Sequence, residues 1–141
     1  MKRFIRLVCL LVVFATLAAV PAYAQEQTAR ASAYLSSYVA YCTKNSATSL
    51  SVSFQVLGTN TMDEIGVTTV KVQYSTDQVN WTTHKTFSSS SNSSMIDTNT
   101  GYHDGVLTCT VPSGKYYRAK VTFYAEKDGG FAERSYTTGI I

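Results

Sequence analysis

Leu50-Ser51-Val52-Ser53-Phe54-Gln55-Val56 carries an apolar side chain at every second position and a polar one between. An extended chain turns successive side chains to opposite faces, so this period of two marks a strand with one dry face and one wet face. The same alternation returns at Tyr117, Ala119, Val121 and Phe123 against Arg118, Lys120 and Thr122, and between the two at Val70, Val72 and Tyr74 against Lys71 and Gln73. Val, Thr, Tyr and Phe fit a pleated, half-buried surface, and their abundance after residue 50 points to an all-β chain.

Outward from these stretches, turn signals divide the chain. Gly58-Thr59-Asn60, Asp77 to Asn80, Pro112-Ser113-Gly114 and Lys127-Asp128-Gly129-Gly130 each separate two apolar-periodic runs, the last as a hairpin of Asp-Gly type. Strands are expected at Tyr34 to Cys42, Leu50 to Val56, Thr68 to Ser75, Trp81 to Phe87, Val106 to Val111, Tyr116 to Ala125 and Phe131 to Thr138. Thr61 and Glu64 stand in the S/T-x-x-E relation of a capping box, which predicts one helical turn closed by Gly66. Ile65 and Val67 fall on the opposite phase from Val70 and Val72. Either the third strand begins at Thr68 or a bulge shifts it. Ser88 to Ser94 reads as a loop, and Met95 to Asp104 as irregular. About seven short antiparallel strands in some hundred residues describe a β-sandwich of immunoglobulin or fibronectin type III style. The rival architecture is a small closed barrel.

The N-terminus has a different character. Lys2, Arg3 and Arg6 precede the apolar run Leu7 to Val20, and Ala22-Tyr23-Ala24 ends it. These are the parts of a cleavable secretory signal peptide, a helical segment shorter than the ~20 residues of a membrane span. The expected organisation is 1–24 signal peptide, 25–33 flexible lead-in and 34–141 one β-sandwich domain. Of the chain's 12 basic side chains three lie in the leader, leaving nine against nine acidic ones, so the product after cleavage is neutral. A neutral domain does not suit nucleic acid, which demands a basic surface. The closing stretch to Ile141 has no apolar tail. The expected product is soluble and secreted, without stable membrane insertion.

Cys9 leaves with the leader, so Cys42 and Cys109 remain, with one connectivity available. Export permits a Cys42–Cys109 disulfide, and the alternative is two buried thiols acting as small hydrophobes.

Several residues invite a functional reading. Tyr116 and Tyr124 lie on the strand phase opposite Tyr117 and Phe123, as recognition tyrosines on a wet face would. Trp81 either joins an aromatic platform with them and with Tyr34, Tyr38, Tyr41, Tyr102 and Tyr136, or closes its hairpin or fills the core. His103 with Asp104, and at a distance Asp63, would be needed for acid–base chemistry. The simpler reading is a ring that bonds backbone at a strand entry. His84 reads as a half-exposed strand residue. Asp63-Glu64 would serve calcium or, more simply, a cap. No catalytic triad signature, zinc spacing or cofactor motif is present. The chain reads as a non-catalytic binding or structural module without cofactor or metal, its partner either a cell-surface glycan or an extracellular protein. A small secreted effector acting on a protein target is the alternative, and a hydrolase using His103 and Asp104 ranks last.

Three resemblances add to this. Val111-Pro112-Ser113-Gly114-Lys115-Tyr116-Tyr117-Arg118-Ala119-Lys120-Val121 resembles the entry to strand F of fibronectin type III domains, which implies that Tyr117 is a corner tyrosine bonded to upstream backbone. Val72-Gln73-Tyr74-Ser75-Thr76-Asp77-Gln78-Val79-Asn80-Trp81-Thr82 resembles a hairpin of bacterial fibronectin-like modules, with Gln78 where Gly is usual. Residues 34 to 138, through Gly58-Thr-Asn-Thr-Met-Asp-Glu-Ile-Gly66, the Trp81 hairpin and His103-Asp104-Gly105, resemble a group of small secreted proteins of Firmicutes. That resemblance implies a Gram-positive source and an extracellular address, and no activity.

Overall fold

The computed structural model describes residues 32–141, so the expected signal peptide and nearly all of the lead-in lie outside the described residues. Six strands follow one another: β1 (Leu35–Ser46), β2 (Ser49–Ser75), β3 (Thr82–Ser88), β4 (Ile96–Thr110), β5 (Tyr116–Lys127) and β6 (Gly130–Thr137), with a 3₁₀ turn at Ser93–Met95. The chain is all-β, and the strands form one antiparallel sheet curled into a half-barrel.

β2 is the spine, 27 residues long. One flank pairs with β1 over Ser49 to Gly58 and then with β5 over Glu64 to Ser75. The other flank pairs with β4 over Ser49 to Gly66 and then with β3 over Thr69 to Tyr74. At the bend the β4 register passes from Leu57 opposite Tyr102 to Met62 opposite Thr100, so residues 58–61 of β2 face the single residue Gly101 of β4. The two halves of the sheet thereby fold over each other. Tyr38 of β1 lies 5.1 Å from the Phe123 ring of β5, and Phe54, Leu35, Val70, Tyr117 and Val121 fill the space between the layers. All five inward residues of β5, Tyr117, Ala119, Val121, Phe123 and Ala125, are fully buried.

Three expectations are corrected. The helical turn over Thr61, Glu64 and Gly66 is strand instead. Glu64 pairs with Thr98 on one flank and Glu126 on the other, and ladder hydrogen bonds on both sides outweigh a local cap. Gly66 serves close approach, not helix termination, since a Cβ there would sit 2.2 Å from the Met95 carbonyl oxygen. The expected second and third strands are therefore one, and the count is six. Met95 to Asp104 is mostly β4, ordered by that same extension of β2. The phase change near Ile65 is a bulge: Val67 faces Phe123 and Thr69 faces Thr122, with Thr68 left over.

Cys42 and Cys109 are both free thiols. Cys42 pairs with Val52 from β1 and Cys109 with Leu50 from β4, so β2 runs between them. Two strand spacings, roughly 10 Å in a flat sheet, separate their backbones. Burial raises both thiol pKa values, which favours the protonated thiols.

Candidate functional site

The outer face of β1, β2 and β4 presents side chains in rows fixed by the register. Ser37, Leu57 and Tyr102 form one row, Val39, Gln55 and Asp104 the next, and Tyr41, Ser53 and Val106 the third. Thr43, Ser51 and Thr108 close the face, where Ser51 Oγ lies 2.9 Å from Thr108 Oγ1 and accepts from Asn45 Nδ2 at 2.6 Å. Tyr41 is 59% exposed, Val106 63%, Tyr102 46% and Leu57 43%. A shallow concavity of about 190 Å³ runs between Val39, Gln55, Leu57 and Tyr102. Two aromatic rings thus stand at opposite corners of an open face whose middle row holds an amide and a carboxylate. Across two strands and along four residues they are roughly 16 Å apart.

An open cleft of about 480 Å³ lies along the inner side of β4, lined by Phe54, Ser94, Asp97, His103, Gly105 and Leu107 among others. His103 Nε2 lies 3.0 Å from the Ser94 carbonyl oxygen and therefore carries the hydrogen it donates. Its Nδ1 is 3.8 Å from Asp97 Oδ2, and its ring lies 5.6 Å from that of Phe54. Asp104 borders the same cleft, but it pairs with Gln55 on the outward phase while His103 pairs with Val56 on the inward one, so strand alternation turns the two side chains to opposite faces. Asp63 is remote from both. Its carboxylate accepts from Lys127 Nζ at 3.0 Å and from the Asp128 backbone N–H at 2.8 Å. The backbone bond first and the lysine second hold its pKa below the ordinary carboxylate value. Asp63 thus clamps the β5–β6 hairpin, where Asp128 and Gly129 both take positive φ. Among the described residues no group of three or more His, Cys, Asp or Glu is placed to hold a metal ion.

Tyr116 and Tyr124 share one phase of β5 but stand at its opposite ends, roughly 26 Å apart, so they form no single platform. Tyr116 is exposed, whereas Tyr124 stacks on Phe131 at 6.0 Å and donates to Glu126. Trp81 clamps its hairpin: Nε1 donates to the Gln78 carbonyl at 3.2 Å, and the Arg118 guanidinium sits 4.2 Å over the ring. Arg118 in turn donates to Gln73 Oε1 at 2.9 Å. Within the turn, Asp77 Oδ1 accepts from the Val79 and Asn80 N–H groups, which lets Gln78 hold φ 61° where glycine would be usual. Tyr117 donates its hydroxyl to the Pro112 carbonyl. His84 Nε2 lies 2.9 Å from the Thr110 carbonyl oxygen, tying β3 to the end of β4.

Tyr41 and Tyr102 are within the set of tyrosines that the sequence nominates, but Leu57, Val106, Gln55 and Asp104 were missed as their neighbours. The available signal was Leu57 and Val106, apolar residues on the wet phase of otherwise alternating strands. Comparison with known proteins finds no family model, no curated protein and no solved structure that matches the chain.

Proposed function

We propose that this chain is an exported, non-catalytic binding module of immunoglobulin or fibronectin type III-like sandwich type, and that its outer β1–β2–β4 face holds a cell-surface glycan. The observation that carries this reading is the exposure of Tyr41 and Tyr102 at the corners of a face whose centre is Gln55 and Asp104. A sugar ring offers an apolar C–H face and a rim of hydroxyls. Tyrosine covers the first, with its own hydroxyl free for a polar contact, and an amide beside a carboxylate accepts and donates to the second. The basic-apolar leader and the resemblance to secreted Firmicutes proteins support the extracellular address.

The experiment is retention of labelled protein on cell wall, mucin and insoluble polysaccharides, with the Tyr41→Ala/Tyr102→Ala variant alongside. Saturable retention that soluble sugar competes away, and that the double variant loses, is the expected result. Equal retention of wild type and variant would remove the glycan face. A secreted effector bound to a protein target is the second reading. It is favoured by β4, which among the described residues pairs with β2 alone and leaves its far edge for an added strand. Retention by a protein partner, insensitive to sugars, would favour it.

A further inference from the structure

The other half of the sheet has a second outer face, built by β3, the C-terminal half of β2, β5 and β6. Its charges are sorted by end. Lys71 stands opposite Lys120, and Arg118 stands beside them opposite Gln73. Toward the other end Glu64 stands opposite Glu126, and Glu133 opposite Tyr124. A neutral row of Thr69, Thr122 and Ser135 lies between.

Like charges directly across a ladder destabilise a sheet unless something outside it offsets them. Among the described residues no opposite charge does so, although Tyr124 donates to Glu126, and Arg118 lies over Trp81 and donates to Gln73. Among the described residues, the one Lys or Arg that meets a carboxylate is Lys127, and it is engaged with Asp63 away from this cluster. Arg134 occupies the other phase of β6, opposite Phe123, and donates to the Glu133 backbone carbonyl. At the basic end, the nearby Asp77 carboxylate is turned into its own hairpin. The crowding registers on Tyr124. Burial first, then the hydrogen bond to Glu126 and the surrounding carboxylates push its hydroxyl up to about 12. Aromatic side chains flank both ends as well: Trp81 and Tyr116 at the basic end, Tyr124 and the 63% exposed Phe131 at the acidic end.

We infer that this face is where two copies of the chain associate, about a two-fold axis through the Thr69–Thr122 row. That axis sets the basic end of each copy over the acidic end of the other, with Arg118 opposite Glu126 and Gln73 opposite Glu64, Lys71 and Lys120 two residues from Glu64 and Glu126, and Lys120 one strand from Glu133. It also brings the Tyr116 and Trp81 end of one copy over the end of the other that carries Phe131. An isologous contact requires such a self-complementary patch. Four strands by ten residues cover roughly 600 Å² per copy, near the lower end for a specific interface. The dimer is therefore weak and salt-sensitive, because exposed charges beyond a Debye length are screened. The Tyr41–Tyr102 face lies on the opposite side of the molecule and stays free, so the dimer is bivalent.

The test is sedimentation velocity of the protein as it leaves the producing cell, from micromolar to near-millimolar concentration, with circular dichroism to confirm folding. A dimer that grows with concentration and dissociates with added salt is expected. Lys71→Glu/Lys120→Glu and Glu64→Lys/Glu126→Lys should each weaken self-association by at least about tenfold. An equimolar mixture of the two variants should re-associate, because both ends of the mixed pair are then complementary. A monomer across the whole range overturns the inference. So does a dimer indifferent to salt or to either reversal, and so does a mixture of folded variants that stays monomeric.

Discussion

Gly105 of β4 lies directly over the Phe54 ring of β2. The two are ladder partners, and a Cβ at position 105 would sit 2.5 Å from Phe54 Cζ. The ring occupies the space that any larger residue would need, and it is itself fully buried under the half-barrel. Gly105→Ala therefore forces Phe54 off its position in a packed core. The expected cost is about 1–3 kcal/mol, read as a lower urea midpoint at unchanged slope. A variant as stable as the parent would show that the ring moves freely.

Tyr117 makes one polar contact from a fully buried position, its hydroxyl to the Pro112 carbonyl, and that contact pins the turn between β4 and β5. Tyr117→Phe keeps the packing and deletes the bond. A loss of about 1–2 kcal/mol is expected in chemical denaturation at neutral pH. Burial raises the Tyr117 pKa, so the folded state favours the neutral phenol. Its contribution is complete below the ordinary tyrosine value of 10.0 and declines as pH rises through the raised folded value. The Phe variant should lack that alkaline decline, which a pH series of the same denaturation curves would reveal.

Acid should act through two turns. Asp77 is held by the N–H groups of Asn80 and Val79 and by the Asn80 and Ser75 side chains, and Asp63 by Asp128 and Lys127. Both carboxyls lie below the ordinary value of 3.8 in the folded state. A depressed folded pKa means that the unfolded chain binds the proton first, so this stabilisation is present above 3.8 and lost as pH falls through the folded values. The melting temperature should hold level down to that range and then fall. Asp63→Asn/Asp77→Asn should start lower at neutral pH and fall less steeply. Parallel curves for the two proteins would place the acid sensitivity elsewhere.

Much of the candidate site was hidden from the sequence for one reason. Periodicity identifies the dry and wet phases of a strand but not which strand lies beside it. The inward set of β5, the Asp128-Gly129 hairpin and the Trp81 turn were legible because each rests on neighbours within a few residues. Tyr116 and Tyr124 share a phase, as the alternation says, yet the length of β5 keeps them apart. Tyr41 and Tyr102 are far apart in the chain and become corners of one face only because β2 lies between their strands.

Periodicity and turn chemistry alone establish that the chain is all-β, which residues of β5 and of the first half of β2 turn inward, and where the tight turns fall. Those features follow from the extended backbone's period of two and from side chains that bond their own turn. Long-range strand pairing makes Thr61 to Gly66 a strand, makes β2 one spine with partners on both flanks, and sets Cys42 and Cys109 on strands either side of it. It also decides which exposed residues share a face. At Glu64 a capping box and a ladder compete for the same backbone groups. The ladder wins because β4 and β5 bring partners from both sides, which no local stretch of sequence contains.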